Sequence, residues 1–72
     1  MKYFKLHHLK WNYAKFLRFD ESKKVITLFL RSGETREYEG DAREIDQYVK
    51  EIDQYVKTGD FVEISESEAA LL

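Results

Sequence analysis

Glu44-Ile45-Asp46-Gln47-Tyr48-Val49-Lys50 is followed without a gap by Glu51-Ile52-Asp53-Gln54-Tyr55-Val56-Lys57, the same seven residues again. Seven identities at zero spacing, in a chain with no other self-similarity, mark a tandem duplication. Two copies of so short a unit fall far below the roughly 20–50-residue periods of solenoid folds. A helix accommodates the repeat well, because seven residues make nearly two turns and the second copy lags the first by only about 20°. On a helix, Ile45, Tyr48, Val49, Ile52, Tyr55 and Val56 occupy one arc of about 120°, broad enough to cover a core. The opposite side is polar, with Asp46 four residues before Lys50 and Asp53 four before Lys57, an order that supports a helix by about 0.2–0.5 kcal/mol per pair. Asp41 with Glu44 three residues on resembles a capping box, and Gly59 stands where a left-handed C-terminal residue is wanted. These signals predict one helix over residues 42–57.

Working outward, the pattern changes to strands. Residues 15–20 and 24–31 flank the polar turn Glu21-Ser22-Lys23, and β-branched and aromatic residues crowd Val25-Ile26-Thr27-Leu28-Phe29-Leu30. Alternation turns Ile26, Leu28 and Leu30 toward the helix and leaves Val25, Thr27, Phe29 and Arg31 on the other face, where Phe29 is an oddity. A second turn at Ser32-Gly33-Glu34 leads to residues 34–39, a charged edge strand, and residues 60–64 form a short strand after the helix. The first fourteen residues fit either state: Leu6, Leu9, Tyr13, Phe16 and Leu17 have helical spacing, the aromatic density suits a strand, and the balance tips slightly to helix. Residues 65–72 read as a flexible tail, although Ser65 and Glu68 have the spacing of a helix cap. The expected fold is therefore a single α+β domain over residues 1–72, a small antiparallel β-meander packed by one amphipathic helix.

Length and composition narrow the functions. Seventy-two residues without cysteine or proline must be held by packing, with neither disulfides nor a thiolate metal cluster. At 43% hydrophobic and 15% aromatic residues, the chain is too apolar for disorder. No stretch reaches the roughly 18 apolar residues of a membrane span, and no apolar core follows the N-terminal bases as in a secretory leader, so the cytoplasm is the expected address. The net charge of −2 hides an asymmetry: residues 1–18 carry five bases and no acid, whereas the remainder sets seven bases against fourteen acids, a net of −7.

Side chains suited to catalysis are thin. The serines lie in turns or the tail without a nucleophile-elbow context, and Gly33, Gly40 and Gly59 are all accounted for by turns and caps rather than a phosphate loop. The adjacent His7 and His8 diverge in either secondary structure and have no neighbouring acid to complete a metal site. No enzyme activity, cofactor or metal is expected. Two binding readings stand. The preferred one is a protein-protein interaction or assembly module, self-associating through the far part of the long helix stripe and the following strand, at Ile52, Tyr55, Val56 and Phe61. A helix of sixteen residues spans about 24 Å, so it either covers the sheet fully or overhangs it and finds a partner, an unidentified protein or a second copy with which it swaps a strand. The second reading is a small nucleic-acid-binding protein that grips single strands with Lys5, Lys10, Trp11 and Arg18, cations interleaved with rings on which bases stack. It ranks below the first because the acidic whole, with a pI near 5.6, opposes polyanion affinity.

Overall fold

A computed structural model describes residues 1–7 and 11–72. Five strands and two helices follow in the order β1 (Lys2–Leu6), β2 (Ala14–Asp20), β3 (Val25–Leu30), β4 (Thr35–Glu39), α1 (Ala42–Thr58), β5 (Phe61–Ile64) and α2 (Glu66–Ala70). The strands form one antiparallel sheet in the order β4-β3-β2-β1-β5, the α+β architecture read from the sequence.

The N-terminus departs from the slight preference for helix. Residues 2–6 are extended because β1 lies inside the sheet and is paired along both edges, with β2 (Phe4 opposite Leu17) and with β5 (Leu6 opposite Phe61). β1 ends at Leu6, and Trp11 lies in a short turn before β2. A bulge at Lys15, between the pairs Ala14↔Leu30 and Phe16↔Phe29, restores the phase and turns Ala14, Leu17 and Phe19 inward.

Turns close the meander by local chemistry. The Asp20 carboxylate accepts the Ser22 hydroxyl at 2.8 Å and the backbone N–H groups of Ser22 and Lys23 at 3.1 and 3.2 Å. Lys24, at φ 55, makes the last step into β3 in the left-handed region. Gly33, at φ 94, does the same between β3 and β4, where its N–H donates to the Leu30 carbonyl.

Helix α1 begins at Asp41, whose side chain accepts the Glu44 N–H at 3.0 Å, and ends at Gly59 in the left-handed conformation, φ 85. Its length has a geometric reason. Counting antiparallel steps across the sheet, β4 and β5 run in the same direction on opposite edges, so α1 must climb back one strand length while crossing four interstrand gaps. At about 4.8 Å per gap and about 3.3 Å per strand residue that path is a diagonal of about 25 Å, the length of 17 helical residues at about 1.5 Å each. The long helix delivers β5 to its own sheet, where it pairs with β1.

The two heptads, identical in sequence, are not equivalent in the fold. Ile45 and Ile52 are 1% and 6% exposed and enter the core with Phe4, Leu6, Leu17, Phe19, Ile26, Leu28, Leu30 and Phe61. Tyr48 remains 44% exposed and Val56 38%, whereas Val49 and Tyr55 are half-buried against the core. Asp46 pairs not with Lys50 but with Lys24 of the β2–β3 turn at 3.8 Å, across the edge of the core. The expected flexible tail contains a helix instead: Ser65 and Glu68 form a reciprocal capping box, α2 lies against β1, and Ala69 is buried, leaving Leu71 in solvent.

Candidate interaction surfaces

Residues directly opposite one another in adjacent strands share a face, so the registers define what the outer side of the sheet presents. One row runs Thr35, Phe29, Phe16, Lys5, Val62 from β4 to β5, and the next runs Glu37, Thr27, Arg18, Tyr3, Ile64. Phe16 and Phe29 stack with centroids 4.4 Å apart, Tyr3 stands 6.2 Å from Phe16, and the Arg18 guanidinium lies 5.2 Å from the centre of the Phe29 ring. The odd outward Phe29 thus belongs to an aromatic strip three strands wide, half-buried by its own neighbours. Helix α1 lies on the opposite side of the sheet, and the short α2 reaches β1. The outer face carries both signs of charge: Lys5 and Arg18 on β1 and β2, Glu37 and Glu39 on β4, and Asp20, which shares the row of Val25 and Glu39.

A second surface is a cleft of about 190 Å³ on the inner side, between α1 and the sheet. Leu17, Ile26, Leu28 and Ile52 form its apolar floor; Tyr38, Tyr48, Tyr55, Trp11 and Phe61 line it, and Glu51 is its single charged residue among the described residues. Tyr38 points inward because it sits opposite Ile26, and its ring meets that of Tyr48 at 6.0 Å. Tyr55 stacks on Phe61 at 4.8 Å, and Trp11 meets the Phe61 ring edge-on at 6.2 Å.

The expected interface residues are divided by this arrangement. Ile52, at 6% exposed, and Phe61, at 3%, are core residues of their own chain, and Tyr55 is held on Phe61, which leaves Val56 alone as an exposed apolar side chain of that set. The expected nucleic-acid contacts do not converge either. Lys5 and Arg18 share the outer face, Trp11 lines the inner cleft, and Lys10 lies outside the described residues. The Trp11 indole N–H is buried with no acceptor among the described residues, an arrangement that costs about 1–3 kcal/mol. Of the N-terminal bases, Lys2 pairs with Glu21 at 3.9 Å, so the cluster of +5 is partly compensated by the fold. What sequence reasoning missed is the strip of Tyr3, Phe16 and Phe29; only the outward phase of Phe29 in β3 signalled it.

Among the described residues no three His, Asp or Glu side chains gather as a metal site, and no helix is long and apolar enough to cross a membrane. Among the described residues Asp20 is the one group whose acidity is visibly moved, its pKa lowered chiefly by the Ser22 hydroxyl and then by the Lys23 N–H. Compared with family models, with curated proteins and with solved structures, the chain matches none.

Proposed function

We propose that the chain is a non-catalytic assembly module, working in the cytoplasm, that associates with a second copy of itself through the outer face of its sheet. The observation that carries this reading is the strip of Tyr3, Phe16 and Phe29 set in a surface that carries both signs of charge. The acids Glu37 and Glu39 lie on the edge strand β4, whereas the bases lie among the rings, Lys5 opposite Phe16 and Arg18 over the Phe29 ring. A two-fold partner turned face to face brings the acids of each copy toward the bases of the other while the rings leave water together. A polyanion gains less there, because Glu37 and Glu39 repel the phosphates that Lys5 and Arg18 attract. Five strands about 4.8 Å apart and about 17 Å long present roughly 400 Å² in projection, a small interface of the kind that dissociates in the micromolar range.

Sedimentation equilibrium from about 5 to 500 μM tests the proposal. Association with a midpoint in the micromolar range is expected, abolished by Phe16→Lys or Phe29→Lys with the circular dichroism spectrum retained. A strictly monomeric parent protein overturns it. So does submicromolar, salt-sensitive binding of short single-stranded DNA by the parent, because that would assign the same rings and cations to nucleic acid.

A further inference from the structure

We infer that the inner cleft is a binding site for a small alkylammonium cation, a function separate from self-association through the outer face. The chemistry of its lining is selective. Rings from four parts of the fold surround it: Trp11 from the turn before β2, Tyr38 from β4, Tyr48 and Tyr55 from α1, and Phe61 from β5. Aromatic faces carry negative potential and attract cations, most strongly those whose positive charge is spread over methyl groups and weakly hydrated, as in a quaternary ammonium. Among the described residues the only charged lining residue is Glu51, whose carboxylate lies between Tyr48 and Tyr55 on α1, and no base lines the cleft. Among the described residues Glu51 has no basic partner within 4 Å; the ion pairs there are Lys2–Glu21 and Lys24–Asp46.

The carboxylate of Glu51 disfavours an anion, and together with the aromatic lining it gives a cation favourable terms that an apolar molecule of the same shape does not have. Size limits the occupant further. An apolar cavity of about 150 Å³ accepts benzene, so one of about 190 Å³ suits roughly seven or eight non-hydrogen atoms. The duplicated heptad builds the site, since the first copy contributes Tyr48 and the second contributes Glu51, Ile52 and Tyr55.

The single tryptophan, Trp11, lines the cleft and serves as the reporter. Its fluorescence is followed while the full chain is titrated with choline and, in parallel, with 3,3-dimethylbutan-1-ol, the neutral molecule of the same shape. Saturable binding of choline with a dissociation constant of about 1 mM or tighter is expected, with the neutral isostere about tenfold weaker. Glu51→Gln and Tyr48→Leu change exposed side chains and leave the core in place; each is expected to weaken choline severalfold and the neutral isostere by distinctly less. Equal affinity for the two molecules, or no saturation by choline at 50 mM, overturns the inference.

Discussion

Removing one heptad is the most informative perturbation of this fold, and deleting residues 44–50 or 51–57 yields the same sequence. The shortened helix keeps its Asp41 cap and Gly59 terminus, so it still forms locally. It does not reach. Ten residues span about 15 Å, whereas the path from the end of β4 to the start of β5 is about 25 Å. The missing 10 Å can come only from straightening the links at Gly40-Asp41 and Gly59-Asp60, which removes both caps, at about 1 kcal/mol for the first alone. One of the two buried isoleucines disappears, a loss comparable with the roughly 2–5 kcal/mol of an isoleucine truncation, and the ring stack on Phe61 goes with the second tyrosine, about 0.5–1.5 kcal/mol more. The total of about 3.5–7.5 kcal/mol is set against a stability of about 4–11 kcal/mol for a chain of this length. The shortened protein is expected to unfold at far lower urea or to release β5 from β1 and expose both edges to other chains. Urea unfolding followed by circular dichroism, with light scattering over a tenfold concentration range, measures both outcomes. A variant within about 1 kcal/mol of the parent, with unchanged mass and intact β1–β5 pairing by NMR, would refute the argument that the diagonal of the sheet sets the helix length.

Other outcomes follow from particular side chains. Tyr55→Ala is expected to destabilise by at least about 1 kcal/mol more than Tyr48→Ala in urea melts, because the same residue of the repeat stacks on Phe61 in one copy and stands 44% exposed in the other. Lys24→Gly is expected to stabilise by about 0.5–1 kcal/mol, since a glycine removes the left-handed penalty at φ 55 and the exposed pair with Asp46 contributes little; a lower midpoint would show that the pair outweighs the backbone. Asp20 has a lowered pKa in the folded chain, so its carboxylate adds stability above the ordinary carboxylate range and loses that contribution as the pH falls through its folded pKa. The difference in urea midpoint between the parent and Asp20→Ala should accordingly be largest near pH 7 and shrink toward pH 2; a gap independent of pH would show that the turn does not depend on the charge.

Helix α1 was legible in residues 42–57 alone, and the structure extends it by one residue to Thr58, because everything that specifies it is local: a periodic stripe, an acidic cap and a glycine stop. Strands β2, β3 and β4 were legible for the same reason, since alternation and turn residues act within a few positions of one another. What sequence proximity does not encode was decided by tertiary contact. Residues 2–6 are extended because two distant segments, β2 and β5, pair with both their edges; fourteen residues read alone contain no sign of either partner. Identical heptads acquire different burial because the helix crosses the sheet on a diagonal, setting Tyr55 over Phe61 and Tyr48 beside Tyr38 at the open side. The candidate sites were hidden for the same cause. Ile52 and Phe61 have the composition of an interface, yet the core takes them, whereas the outer strip needs Tyr3, Phe16 and Phe29 from three strands brought into register by hydrogen bonds. Periodicity shows that a residue is apolar and which side of its own element it occupies; only the pairing of elements determines what stands opposite it.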